Sequence, residues 1–341
     1  MKFDVVVGNP PYQESREDTR DDSIYHYFYD LAEKAGFKYC LISPARFLFN
    51  AGSTDRNWNK KMLSDKHINV EYYEQNSANV FQNTDIKGGV AIIYRDKDKN
   101  FGEIGTFTVF KVLNHIVKKV SKLTNATMSS IISGQGIYKF TPKMHEDYPE
   151  VIKILSKNHP NDVGTNALTT LHNILFYPEK PNDKHEYVAV LGRFQHKRAL
   201  HYIRKDYLNE PFAFDKWKVI LPKANGNGKL GEPLSSPFVG RPLIGFTQTF
   251  ISIGAFDSEI EAQNTLKYIK SKFTRVMLGV LKITQDNPRN KWEKVPLQNF
   301  TCHSDIDWTK SISEIDQQLY KKYGLNQTEI DFIENKVAPM N

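Results

Sequence analysis

Cysteine is scarce in this chain, with only Cys40 and Cys302 among 341 residues. Two thiols so far apart form neither a disulfide framework nor a metal-ligand spacing, and a reducing cytoplasm is the economical setting for them. No apolar run approaches membrane-spanning length, and the N-terminus lacks the apolar segment of a secretory leader. The expectation is a cytoplasmic protein that does not engage a membrane. Repeats of fixed period are absent, which argues against a solenoid or propeller. The glycine pairs Gly134-Gln135-Gly136 and Gly226-Asn227-Gly228 lack a strand–turn–helix setting, so no nucleotide-cradling turn is read from them. His196 and His201 have no third ligand candidate nearby, and no metal site is expected. Neither a nuclease signature nor helicase motifs are found.

What the chain has is core and charge. Hydrophobic residues make up 40% and aromatics 12%, which suits a folded protein long enough for two domains. Its formal charge of +7 permits a polyanionic partner without requiring one. The most informative segment follows the β-branched run Phe3-Asp4-Val5-Val6-Val7-Gly8, where Asn9-Pro10-Pro11-Tyr12 ends a buried strand abruptly. Two prolines remove backbone donors and fix φ, so an Asn amide, a rigid carbonyl and an aromatic ring are held at the carboxyl end of the strand. In open α/β sheets that end is where ligands bind. The Asn9 side-chain oxygen and the Pro10 carbonyl are suited to accept the two hydrogens of an exocyclic nucleobase amine. That favours a pyramidal nitrogen and stabilises the positive charge of attack on a methyl donor. Tyr12 offers a flat surface for an extruded base. The bland reading is a Pro-rich turn after a core strand.

The following residues predict an α/β sheet. Strand 3–8 precedes a polar loop, 13–22, that carries seven charges. A helix is expected from Ser23 to Gly36, a strand over Phe37–Ser43, a helix over Thr54–Asp65, and strands over His67–Glu74 and Val90–Arg95. The last two should form an antiparallel pair.

Phe3 to Tyr12 resembles motif IV of the amino-group DNA methyltransferases, which methylate adenine with S-adenosylmethionine. Phe37–Asn50 is similar to their motif VI, and Val80–Val90, with its Asp85-Ile86-Lys87-Gly88-Gly89-Val90, to motif VIII in type II restriction–modification methylases. The resemblance implies that residues 1–110 are the second half of a Rossmann-like methyltransferase sheet. It also implies catalytic roles for Asn9, Pro10, Pro11 and Tyr12, and base stacking by Tyr12 and Phe81, the latter from the side opposite motif IV. An ordinary core role for Phe81 stays open.

From about residue 111 the chain reads as an α+β target-recognition domain to residue 300, then C-terminal helices over 301–341. A helix is expected over Lys111–Leu123, a basic and aromatic stretch over His185–Leu208, a mobile loop over Gly226–Gly240 and a strand over Gly245–Gly254. One long helix is expected from Ser258, with the stripe Leu266, Ile269, Phe273, Val276, Met277 and Val280; two shorter ones follow, from Ser311 to Gly324 and over Thr328–Lys336. Double-stranded DNA is the expected partner, held by Lys87, Arg193, Lys197, Arg198, Arg204, Lys205 and Arg241, with Lys223 and Lys229 nearby in turns. A solvated helix face is the competing reading of these cations.

The resemblance also places the methyl donor on a Gly-rich turn that precedes motif IV, and this chain shows none. The expectation is therefore a fragment, or a subunit completed by a separate N-terminal methyltransferase or restriction chain, with strand 3–8 left as a pairing edge and weak binding of S-adenosylmethionine. Two other readings stand beside this one: a non-catalytic DNA-binding specificity module, and an RNA or protein-glutamine methyltransferase.

Overall fold

The computed structural model describes residues 2–14, 22–50, 53–84, 86, 88–226 and 228–340. Two compact units emerge, Met1–His115 and Ile116–Asn341. Among the described residues no helix is long and apolar enough to cross a membrane.

In the first unit β1 (Phe3–Gly8) leads through Asn9–Tyr12 to a small ribbon, β2 (Gln13–Glu14) with β3 (Asp22–Ser23), and then to α1 (Tyr25–Ala35) and β4 (Gly36–Pro44). Next come α2 (Arg56–Ser64), β5 (Ile68–Glu74) and β6 (Val90–Asp96). The sheet order is β1-β4-β6-β5. β1 runs parallel to β4, while β6 is antiparallel to both of its neighbours. The carboxyl ends of β1, β4 and β5 therefore share one edge of the sheet, and β6 starts there, with Val90 opposite both Pro44 and Glu74.

This arrangement is built on apolar packing. Tyr25, Tyr29 and Ala32 of α1 meet Phe47, Trp58 and Met62 in a buried cluster, each large side chain contributing on the order of 1.5–3 kcal/mol. Tyr29 Oη lies 2.8 Å from Ser43 Oγ, so its polar end is satisfied inside the cluster. α2 begins two residues later than Thr54: Asp55 caps it by accepting from Asn57 N and Trp58 N. Arg95 bridges Asp65 and Glu33 at 2.9 and 3.2 Å, tying β6 to the ends of both helices. β1 is different. It pairs with β4 alone, and its Phe3, Val5 and Val7 are 63%, 49% and 72% exposed. They flank an apolar groove of about 480 Å³ that runs along α1 past Phe28 and Leu31.

Helix α3 (Lys111–Leu123) contains the division between the units. The second unit comprises α4 (Pro142–Asp147), α5 (Ala167–Thr170), β7 (Tyr187–Phe194), β8 (Lys197–Arg204), β9 (Trp217–Pro222), β10 (Phe238–Gly240), β11 (Ile244–Phe246) and β12 (Phe250–Phe256). Four helices follow: α6 (Glu259–Lys270), α7 (Lys272–Gly279), α8 (Ile312–Lys322) and α9 (Gln327–Lys336). Two three-stranded sheets, β11-β7-β8 and β10-β9-β12, form its β part.

Several expectations are corrected in this unit. The basic stretch is a β-hairpin, β7–β8, which corrects the competing reading of a solvated helix face. Gly245–Gly254 divides into β11 and β12, which belong to different sheets. The helix from Ser258 breaks at Ser271, which caps α7 through Thr274 N, while Asp316 of α8 accepts from Lys272 N and Phe273 N. The glycine loop after Asn225 is pinned: Lys282, itself buried, donates to the Asn225 and Thr284 carbonyls at 2.7 and 3.1 Å and pairs with Glu232. Helix α9 carries a capping box from Asn326 and Glu329.

Candidate active site

Asn9, Pro11, Tyr12, Tyr25, Arg46 and Phe81 line a cavity of about 560 Å³. They come from the chain segments that leave β1, β4 and β5 at their shared edge, and from the start of α1. Pro10 is buried behind the exposed Asn9, so the carbonyls of this short segment are held by packing. Tyr12 is fixed through its carbonyl, which accepts from Ile24 N at 3.1 Å beside the β2–β3 ribbon. Its ring meets Phe81 edge to face, with centroids 6.4 Å apart and planes at 61°. A base sandwiched between parallel rings needs about 7 Å, twice an ordinary carbon contact. The two rings therefore form two walls of a corner.

Phe81 sits in a loop closed on itself. Ser77 Oγ donates to the Thr84 carbonyl and accepts from Ile86 N; Phe81 N donates to the Ser77 carbonyl, and Thr84 Oγ1 to the Phe81 carbonyl. The two glycines after this loop are required for separate steric reasons. Gly88, at φ 90°, leaves room for the Arg46 stem, and Gly89, at φ 77°, lies against the Glu74 carbonyl. Gly89 O accepts from Ala45 N, which joins the Phe81 loop to the segment bearing Arg46.

The electrostatics suit a neutral, planar guest. Among the described residues lining the cavity, Arg46 is the one charged side chain. Burial pushes the Tyr25 phenol up to about 12, against the pull of Thr54 and Arg46 beside it. Burial also raises the Tyr12 phenol, with the Asn9 side chain opposing. The Tyr12 hydroxyl is buried without a hydrogen-bond partner among the described residues, and Asn9 stands near it outside bonding geometry. A buried, unsatisfied hydroxyl is costly, and a bound ligand can satisfy it.

Sequence reasoning brought Asn9, Tyr12 and Phe81 forward but did not single out Arg46 or Tyr25. Tyr25 falls outside the stripe Tyr27, Leu31 and Ala35 that the sequence suggests for this helix, of which Tyr27 and Leu31 are in fact exposed, and Arg46 reads as one cation among many.

The expected DNA contacts are distributed unevenly. Lys87 lies outside the described residues. Arg193, Lys197 and Arg198 share the tip of the β7–β8 hairpin. Arg198 donates to the Ser235 and Ser236 carbonyls at 2.6 and 2.7 Å. Arg204 pairs with Asp206 and Asp147 and lies 4.2 Å from the Tyr207 ring centroid; Lys205 faces Glu186 and Glu210. These three side chains have partners within the fold, and so does Arg193 through the His196 carbonyl, whereas Lys197 is exposed at the hairpin tip. Arg241 is exposed on the turn between β10 and β11. His201 is buried with its ring 5.5 Å from that of His172, whereas His196 is on the exposed hairpin turn.

Residues 1–81 match the family model of the Eco57I restriction-modification methylase. Over 95 residues the chain is 34% identical to a Mycoplasma pneumoniae protein described as an uncharacterized adenine-specific methylase; the match covers 26% of this chain and 22% of that protein. The chain thus spans less than a quarter of that relative's length. Among solved structures, the type IIL restriction-modification enzyme MmeI in complex with DNA aligns with 98% of this chain and 56% of its own, at 9% identity and a TM-score of 0.33. The type IIG restriction endonuclease BpuSI aligns with 98% and 54%, at 10% identity and a TM-score of 0.29. The methylase resemblance carried by Asn9–Tyr12 is matched within residues 1–81, at low identity.

Proposed function

We propose that the first unit is the acceptor side of a DNA adenine methyltransferase of a restriction–modification system. In this reading residues 111–300 supply target recognition and 301–341 a helical close. The observation that carries the proposal is the convergence of Asn9, Tyr12 and Phe81 on one cavity at the carboxyl end of β1. A flipped adenine lies in the corner between the Tyr12 and Phe81 rings. Its amino group donates one hydrogen to Asn9 Oδ1 and one to the Pro10 carbonyl. With both hydrogens engaged, the nitrogen lone pair leaves conjugation with the ring and becomes nucleophilic, and the two acceptors are placed to stabilise positive charge on that nitrogen. Loss of one such preorganised partner typically lowers the rate about 10²–10³-fold. Strand order β1-β4-β6-β5, with β6 antiparallel, supports assignment to the second half of a Rossmann-like methyltransferase sheet.

S-adenosylmethionine, when bound, supplies the methyl group. The residues present do not fit it: among those described, no strand leads through a Gly-rich turn into a helix, and no acidic side chain lines the cavity for ribose hydroxyls. We propose that a strand-forming partner segment pairs along the free edge of β1 and brings that site beside Asn9. The exposed Phe3, Val5 and Val7 support this. The incomplete cofactor site also favours a second reading, a DNA-specificity module that acts only through its partner.

Isothermal titration of the chain with 2′-deoxyadenosine, N6,N6-dimethyl-2′-deoxyadenosine and S-adenosylmethionine tests the proposal. Deoxyadenosine should bind, its dimethyl analogue should not because it has no amino hydrogens, and Asn9→Ala should abolish the difference. Equal binding of the two nucleosides refutes the acceptor chemistry. Micromolar binding of S-adenosylmethionine refutes the incomplete cofactor site.

A further inference from the structure

The tip of the β7–β8 hairpin carries two features that work against its own stability. Phe194 pairs with Lys197, which leaves Gln195 and His196 as a two-residue turn. Both have left-handed backbone, at φ 48° and 63°. Turns of this kind normally use Asn, Asp or Gly, because a larger side chain crowds the backbone there. Immediately behind the turn, Arg193 and Arg198 stand directly opposite each other, and like charges in that position repel. All four residues, with Lys197, are exposed, so burial relieves neither feature.

The support beneath the tip is firm. β7 is buried nearly throughout, and Arg193 Nη2 donates to the His196 carbonyl at 2.9 Å, which holds the turn closed. Arg198 is anchored by the Ser235 and Ser236 carbonyls and lies 5.6 Å from the Phe250 ring centroid. A strained turn on a rigid base, bearing two long polar side chains and flanked by cations, is costly in the free chain. An anionic surface with hydrogen-bonding groups behind it relieves the repulsion and uses the side chains.

From this geometry, and resting on the DNA-methyltransferase reading above, we propose that the hairpin tip enters a groove of duplex DNA. Gln195 and His196 read base edges there, while Arg193 and Lys197 contact the flanking phosphates. A two-stranded ribbon fits the major groove, where a glutamine amide matches the donor and acceptor of adenine and an imidazole can serve either role. Specificity of this protein then resides partly in the turn, and Arg198 acts as a positioning residue that never touches DNA.

The test is selection from a randomised duplex library by the full chain, compared with the double variant Q195N/H196G, which installs a relaxed turn. Wild type should enrich a consensus. The variant should melt at a higher temperature. It should lose discrimination, by about ten-fold or more, at one or two adjacent positions. An unchanged consensus overturns the base-reading role, and a lowered melting temperature overturns the argument from strain. Failure of wild type to bind duplex at all overturns the DNA reading beneath both, whereas duplex binding without any consensus overturns base reading alone.

Discussion

Replacing Gly89 by alanine should damage the candidate site far more than the same change at Gly88, although both have positive φ, 77° and 90°. Left-handed backbone costs an alanine roughly 1–2 kcal/mol in either case. The difference lies in what the new methyl meets. At Gly88 it comes within 2.8 Å of Arg46 Cγ, part of a flexible side chain that can swing aside. At Gly89 it falls 2.2 Å from the Glu74 carbonyl oxygen and 2.8 Å from Gln75 Cα. An ordinary contact then requires this backbone to retreat by about 1 Å. Glu74 is paired with Val90 at the end of the β5–β6 ladder, and Gly89 O accepts from Ala45 N. Losing those two hydrogen bonds adds about 1 kcal/mol each. We expect about 3–4 kcal/mol for Gly89→Ala and about 1–2 kcal/mol for Gly88→Ala. Hydrogen-exchange mass spectrometry of the full chain should show the peptides spanning β5, the Phe81 loop and the start of β6 losing protection by corresponding amounts. Equal loss in the two variants, or less than about 1 kcal/mol for Gly89→Ala, would refute the steric assignment.

Lys218 is buried and donates to the Ala213, Phe214 and Lys216 carbonyls, and burial pulls its pKa from 10.5 to about 8. Between those values the unfolded chain holds more protons, so this group makes stability rise with pH, by up to about 3 kcal/mol. Urea unfolding at pH 7 to 10 should show that rise in wild type relative to Lys218→Met; parallel curves would contradict it. Arg204→Gln should lower the melting temperature, because Asp206 loses its ion pair and Asp147 one of its partners, and leave the salt dependence of DNA binding unchanged. Lys197→Gln should do the reverse, reducing the slope of log K against log salt by about 1. Tyr12→Phe removes a hydroxyl buried without a partner among the described residues, so it should not lower the melting temperature, whereas Tyr12→Ala should abolish deoxyadenosine binding.

The first unit was largely legible because its signals are local. Apolar runs marked β1, β4 and β6, and the Asn-Pro-Pro segment carries its own strand stop. The converging end of the sheet follows from the order of these elements and needs no long-range information. The second unit depends on contacts that no sequence window contains. Ser271 interrupts an unbroken apolar stripe because Asp316, 45 residues later, receives the amides of a new helix. The turn Gln195-His196 has none of the residues that announce a hairpin, so a basic stretch gave no sign of being β-structure. Cations look alike in a sequence. Only the placement of Asp147, Glu186, Glu210, Ser235, Ser236 and the His196 carbonyl separates Arg198, Arg204, Lys205 and Arg193, which have partners in the fold, from Lys197.

β1 delivers Asn9 and is also an edge strand, with a single neighbour in its sheet among the described residues. A ribbon held on one side frays more readily than one held on both. Catalytic groups tolerate only about 0.5 Å of misplacement. The precision of the amide at Asn9 is therefore inherited from whatever steadies the outer side of β1. If the proposed methyltransferase reading holds, rate is a measure of how well an edge is clamped, and mutations at Phe3, Val5 or Val7 should be felt as lost turnover without touching a single reacting atom.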